Sequence, residues 1–291
     1  MNIINDKDCV EVYKGKLFEK GKLKNNEKVI VFDLDETLGS FTDLEILYIS
    51  INRVLGKNTI IDFSDLLNLY PEFLRNDIIK ILKYIYNKKR SKDCHKLYLY
   101  TNNQSINNSV NLIIEYFTKK IAKKNDILFD QIIYAFKINN QIIQVGRSSH
   151  EKSVKDLIRC TLLPSNTAIC YIDDHEFDEM KKEKIYYIQP KPYHHNLSSY
   201  NIISRLFESD LKYLLNPYKN QICDVFLANS IHSKTYRKFN TRDEELIKHQ
   251  KNISKKIMYH IKEFFYLTKK KDYTKKNKKT FHNFTRKRNK D

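Results

Sequence analysis

The stretch KVIVFDLDETLGSF, residues 28–41, places two aspartates one residue apart, Asp33 and Asp35, after a short apolar run, with Thr37 following. Two later runs share that form: LYLYTNN reaches Thr101, and CYIDDHEFDEM reaches Asp173 and Asp174. Between them, HEKSVKDLIRC offers Lys152 and Lys155. If the apolar runs are neighbouring strands of one parallel sheet, four carboxylates meet at the strand ends. Repulsion and lost hydration oppose that meeting unless a cation sits among them. Oxygen donors around a phosphate-bearing substrate suit magnesium, which takes a few carboxylates and keeps several waters. Residues i and i+2 of a strand share a face, so Asp33 and Asp35 can reach one group. A lone aspartate after a strand reads as a turn former or a helix cap; these features in this order do not reduce to turn chemistry.

Such groups are collected at the carboxyl ends of strands in an α/β sheet, and the rest of the chain supplies that frame. Val29 to Phe32 is short, apolar and β-branched, as in a parallel strand covered on both faces. Further strands are expected in KLYLYTNN, ILFDQIIYAF, AICYIDD and KIYYIQP. Helices are expected between them in PEFLRNDIIKILKYIYNKK, with Pro71 near its first turn, in SINNSVNLIIEYFTKKI, and in SSHEKSVKDLIRC, with a serine cap and Glu151 early. The alternation predicts an α/β fold with a doubly wound parallel sheet. CVEVYKGKLFEKGKLKN reads as a short hairpin and NNQIIQVG as a hairpin arm. Residues 1–200 form the expected core, with about 39–70 as a small helical cap insertion; 201–268 form a helical extension and 269–291 a basic tail. In the extension, Leu246, Ile253, Ile257, Ile261 and Phe264 make one apolar stripe that should dock on its own domain.

The chain has 291 residues and a net charge of +18. Residues 269–291 hold 11 Lys or Arg against 2 Asp, so half of that charge is in the tail. With little to bury, the tail should be disordered when alone. Tyr273, Phe281 and Phe284 are interleaved with its cations, which makes it a candidate for nucleic-acid contact. Five cysteines, Cys9, Cys94, Cys160, Cys170 and Cys223, show no metal-binding spacing and fit a reducing compartment. No apolar signal region or membrane span is visible, so a soluble, intracellular protein is expected. Cys170 reads as core, His194 and His195 as surface loop, His175 as a neighbour of the acidic pair, and Asp178 as an exposed acid.

FDLDETLGSF, LYLYTNN, HEKSVKDLIRC and CYIDDHEFDEM resemble the four motifs of the haloacid dehalogenase superfamily. Within it, DLDETL is most similar to the branch of phosphatases acting on the carboxy-terminal domain of RNA polymerase II. IRCTLLPSNTAICYIDD and IQPKPY resemble the version encoded by large DNA viruses, for which a virus factory or virion is the implied location alongside cytoplasm or nucleus. The resemblance covers residues 28–192. It implies a magnesium-dependent phosphatase in which Asp33 is the nucleophile, Asp35 the acid and base, and Thr101 a phosphoryl holder. Lys152 is the implied cation, 21 positions before Asp173 as in the superfamily, with Lys155 the alternative in the wording of the polymerase-phosphatase branch. Asp33, Asp35 through its carbonyl, Asp173 and Asp174 are the implied magnesium ligands, and Thr37 fixes the turn. The implied substrate and partner is a phosphoserine or phosphothreonine protein. Gly39 and Ser40 stand where that branch usually has Val and His. The alternatives are a phosphatase for nucleotides or nucleic-acid end phosphates, and a scaffold that keeps the fold without catalysis.

Overall fold

In the computed structural model, which describes residues 4–6, 9–23, 27–56, 61–105, 108–232 and 243–269, the DxD strand lies inside a seven-stranded sheet. The strands in chain order are β1 (Ile4–Asp6), β2 (Val10–Lys14), β3 (Lys28–Phe32), β4 (Lys96–Tyr100), β5 (Gln131–Ile133), β6 (Lys137–Ile138), β7 (Gln141–Ile142), β8 (Ala168–Ile172) and β9 (Ile185–Pro190). The main sheet runs β1-β2-β9-β8-β3-β4-β5, and β6 and β7 pair as a separate hairpin. From β9 to β5 every pairing is parallel; β2 joins β9 antiparallel and β1 joins β2 antiparallel. The fold is therefore α/β with a mostly parallel sheet, its expected strands all present and an antiparallel edge added. The chain moves outward from β3 to β4 and β5, then returns to the other side of β3 for β8 and β9. The crevice between β3 and β8 is thus the point where the winding direction reverses, the usual ligand position in such sheets.

The helices are α1 (Lys16–Glu19), α2 (Thr42–Leu55), α3 (Phe63–Leu69), α4 (Ile78–Arg90), α5 (Ser109–Ile121), α6 (Val154–Thr161), α7 (Ser199–Glu208), α8 (Lys212–Leu215), α9 (Lys219–His232) and α10 (Asp243–Thr268). Strand alternation divides the core. Ile30, Phe32, Cys170 and Ile172 join a large cluster with residues of α2 to α5, α7, α9 and α10. Val29, Val31, Ile169 and Tyr171 join a smaller one with Val154 and Leu157 of α6. The α10 stripe docks as expected: Ile253, Ile257, Ile261 and Phe264 are buried in the large cluster, while Leu246 is only partly buried. Among the described residues no helix is long and apolar enough to cross a membrane.

Three local expectations change. Of the hairpin expected over residues 9–25, the described part, 9–23, is one strand followed by the turn of α1, because β2 finds its partners in β1 and β9. Pro71 opens a separate 3₁₀ turn, Pro71–Phe73, and α4 starts only at Ile78. Arg75 intervenes, its N–H donating to Leu38 O at 3.0 Å and its side chain buried. Helix α6 starts at Val154, capped by Ser153, whose Oγ accepts from Asp156 N; Glu151 precedes it. The basic tail beyond Lys269 lies outside the described residues.

Candidate active site

Alternation carries the β3 pattern past the end of the strand. Leu34 continues the apolar face of Ile30 and Phe32, so Asp33 and Asp35 fall on the other side with Val29 and Val31. Asp33 N donates to Ile172 O at 2.9 Å, which keeps β3 and β8 in register up to both acidic ends. A cavity of about 220 Å³ opens there, lined by Asp33, Asp35, Thr101, Asn103, Lys152 and Asp173 together with Glu36, Asn102, His175 and Phe177. The expected strand ends have converged, and Lys152 has joined them.

Lys152 is the cation at the centre. Its Nζ lies 2.5 Å from Asp33 Oδ1 and 2.7 Å from Asp173 Oδ2, and the side chain is 1% exposed. Burial alone would lower the lysine pKa, but the carboxylates of Asp173 and Asp33 outweigh it and hold it above the ordinary value, so the ammonium is charged. Lys155, three residues on, is exposed on α6 and lines no part of the cavity. The loop bearing Lys152 is fixed by buried charges that the sequence reading did not single out. Arg147 donates to the carbonyls of Thr101, Tyr134 and His150, and Asp156 accepts from Ser148 N and Oγ.

Burial pushes Asp33 well above the usual carboxylate range; Lys152 opposes this without cancelling it, and Asp173 and Asp35 add to it. Burial also raises Asp35, against the hydrogen bond from Asn103 Nδ2 to its Oδ2 at 2.9 Å. Asp174 is raised by burial and by Asp173. Thr101 Oγ1 accepts from Asn103 N at 2.9 Å, which leaves the hydroxyl hydrogen to donate to a ligand in the cavity.

The turn after Asp35 is backbone engineering. Glu36 has φ +54°, a left-handed conformation that is costly for a residue with a side chain. Its carbonyl is held by Arg75 Nη2 and by Tyr193 N, and Arg75 Nε donates to Thr37 O at 2.6 Å. Gly39 follows where an added Cβ would lie 2.4 Å from Phe73 O, so the glycine is required by close backbone approach. Thr37 reaches across the crevice to Asp174 as well as shaping the turn. His195, expected on the surface, is 7% exposed; its Nδ1 accepts from Leu197 N and its Nε2 lies 3.0 Å from Asp43 Oδ2. Asp43 sits in the first turn of α2, so the pair ties the 190s loop to that helix. Asp178 is exposed and Cys170 buried, as expected.

The donor set fits a hard divalent cation. One oxygen, Asp174 Oδ2, is buried without a hydrogen bond; His175 Nδ1 is 3.0 Å away but not aligned for one. Ligand atoms of Asp173, Asp174 and His175 lie within 4.8 Å of one another. Both oxygens of Asp173 are occupied, Oδ2 by Lys152 and the Tyr171 hydroxyl and Oδ1 by His175 N. Asp174 therefore offers the more open carboxylate.

Comparison with protein-family models, with curated proteins and with solved structures returns no match.

Proposed function

We propose that the chain is a magnesium-dependent phosphatase of the haloacid dehalogenase type, acting on phosphoserine or phosphothreonine in a protein. One observation carries the reading: a single buried ammonium, Lys152, joins Asp33 and Asp173 beside a cavity that Asp35 and Thr101 also line. An ion pair that only stabilised the fold would not need a cavity at its edge. The four motifs quoted above support the same reading.

In this reading Asp33 Oδ2 attacks phosphorus while Lys152 holds Oδ1. The bond from phosphorus to the leaving oxygen breaks, and Asp35 gives that oxygen its proton, leaving an aspartyl-phosphate. Asp35 then takes a proton from water as the water oxygen bonds to phosphorus and the bond to Asp33 breaks, releasing phosphate. The Thr101 hydroxyl and Lys152 hold the phosphoryl oxygens where charge builds up. Asp33, the Asp35 carbonyl and Asp174 would hold magnesium, which when bound supplies positive charge favouring ionised Asp33 and a neutralised phosphoryl group. Among the described residues none that lines the cavity comes from 39–70 or from 201–268, which suits a phosphate carried on a macromolecule.

The test is hydrolysis of p-nitrophenyl phosphate with and without magnesium, followed by a panel of phosphopeptides and end-phosphorylated oligonucleotides. Magnesium-dependent turnover that disappears in Asp33→Asn is expected, with phosphopeptides preferred. Turnover surviving in Asp33→Asn would reject the nucleophile, and preference for oligonucleotides would reject the protein substrate.

A further inference from the structure

Asn103 lies two residues beyond Thr101 and touches four residues in and beside the site at once. Its N–H donates to Thr101 Oγ1 at 2.9 Å, and its Oδ1 accepts from Ser105 N at 2.7 Å. The second bond fixes the amide, because an acceptor facing a backbone N–H must be the oxygen. Nδ2 is therefore the atom turned toward Asp35, 2.9 Å from its Oδ2. The same Nδ2 lies 3.4 Å from Glu45 Oε1, which is held in turn by Ser109 Oγ at 2.9 Å. Asp35 is thus tied through one amide to α2 and to the first residue of α5.

We infer that Asn103 is a positioning residue for proton transfer by Asp35, resting on the phosphatase reading above. An amide N–H facing Oδ2 needs that oxygen as an acceptor, so the proton handled by Asp35 is carried on Oδ1. In the first half-reaction it leaves Oδ1 for the departing oxygen as the bond to phosphorus breaks. In the second it returns to Oδ1 from the attacking water. Thr101, which holds the phosphoryl group, takes its own orientation from the backbone N–H of the same residue, so acid and substrate are set relative to each other by one residue: Asp35 through its side-chain amide and Thr101 through its main chain. Ser105 and Glu45 make this a built arrangement in place of a loose surface contact. DxDxT spacing could not reveal it, since it depends on the turn that follows β4.

The test compares two substrates. Phenyl phosphate has a leaving oxygen that must be protonated; 2,4-dinitrophenyl phosphate has one that departs unaided. In Asn103→Ala, kcat/KM on phenyl phosphate, which reports the half-reaction that expels the leaving oxygen, should fall about 10²-fold while kcat/KM on the dinitrophenyl ester stays within about threefold. In an Asp35→Asn background the same change should have almost no further effect, because Asn103 acts through Asp35. Asn103→Ser, whose hydroxyl can accept from Ser105 N but is too short to reach Asp35, should give the same split if the alanine variant does not fold. Equal losses on both substrates, or an undiminished effect without Asp35, would overturn the inference while leaving the phosphatase reading intact. A wild-type protein inactive on both esters would overturn that reading and the inference with it.

Discussion

Thr37 and Asp174 are joined twice across the crevice: Thr37 Oγ1 donates to Asp174 Oδ1 at 2.9 Å and accepts from Asp174 N at 3.0 Å. The two residues come from turns after β3 and β8, the strands that flank the reversal of winding. A hydroxyl can do both jobs because it carries one hydrogen and two lone pairs. The exchange engages Oδ1 of Asp174 and leaves its Oδ2 as the carboxylate oxygen without a hydrogen bond.

Replacing Thr37 by valine keeps the shape and removes both bonds. Asp174 N–H is then buried without a partner, and the loss should be about 1–3 kcal/mol in urea unfolding, with most of it restored in Thr37→Ser. Equal stability of the valine and serine variants would show that the cross-crevice bonds contribute nothing.

The two lysines of the α6 region should separate cleanly. Lys152→Met leaves Asp33 and Asp173 buried and facing each other without their shared cation, a change of the kind that costs about 3–5 kcal/mol. It should also abolish phosphatase turnover. Lys155→Ala removes an exposed charge and should stay within about 0.5 kcal/mol of wild type in denaturant midpoint and within about twofold in rate. A Lys155 variant as impaired as the Lys152 variant would remove Lys152 from its assigned place.

Much of this site was legible because its parts lie at the ends of apolar strands, where sequence and position coincide. Val29 to Phe32 announces a buried strand, and the acids after it can only emerge at its carboxyl end. Asn103, Arg75, Arg147 and Glu45 were not legible for the opposite reason. Each acts through a side chain that reaches another segment, and nothing in TNN or EFLR says which carbonyl or carboxylate will be found there. His195 misled because a His-His pair after KPY has surface composition; its burial comes from Asp43 and Phe73, far away in the chain. Pro71 misled because its preference for a first helical turn was met by a 3₁₀ turn, while Arg75 was drawn into the DxDxT turn and delayed α4.

The docking of α10 should weaken in acid. Burial would raise Glu263, but hydrogen bonds from His260, Lys14 and Tyr186 outweigh it and hold it down to about 2. Its contribution is therefore complete above about pH 4.5, where the unfolded carboxylate has ionised, and is lost as pH falls toward about 2. The carboxylate is 19% exposed, so solvent screening trims the effect to about 1 kcal/mol. Glu263→Gln should be less stable than wild type by that amount at pH 7, and the two should converge near pH 2. A constant difference across that range would assign the effect to packing alone.

Glu45 should act in the opposite direction. Burial, with Asp35 adding to it, raises its carboxyl to about 7, although Ser109, Asn103 and Ser105 donate to it. In the unfolded chain the group ionises near 4.3, so between these values the folded protein holds a proton that the unfolded chain has released. Stability from this group is full below about pH 4.3, declines as pH rises through about 7, and is level above. Glutamine keeps an acceptor for Ser109 and Asn103 and cannot ionise. Glu45→Gln should therefore match wild type near pH 4 and be more stable by roughly 1–3 kcal/mol at pH 8. Taking the difference between variant and wild type in urea unfolding at each pH removes the parallel contributions of Asp33, Asp35 and Asp174, whose carboxyls are raised as well. A difference that does not grow between pH 4 and pH 8 would mean that Glu45 is ionised throughout. Its link to Asp35 through Asn103 would then join two charged carboxylates, with the amide donating to both.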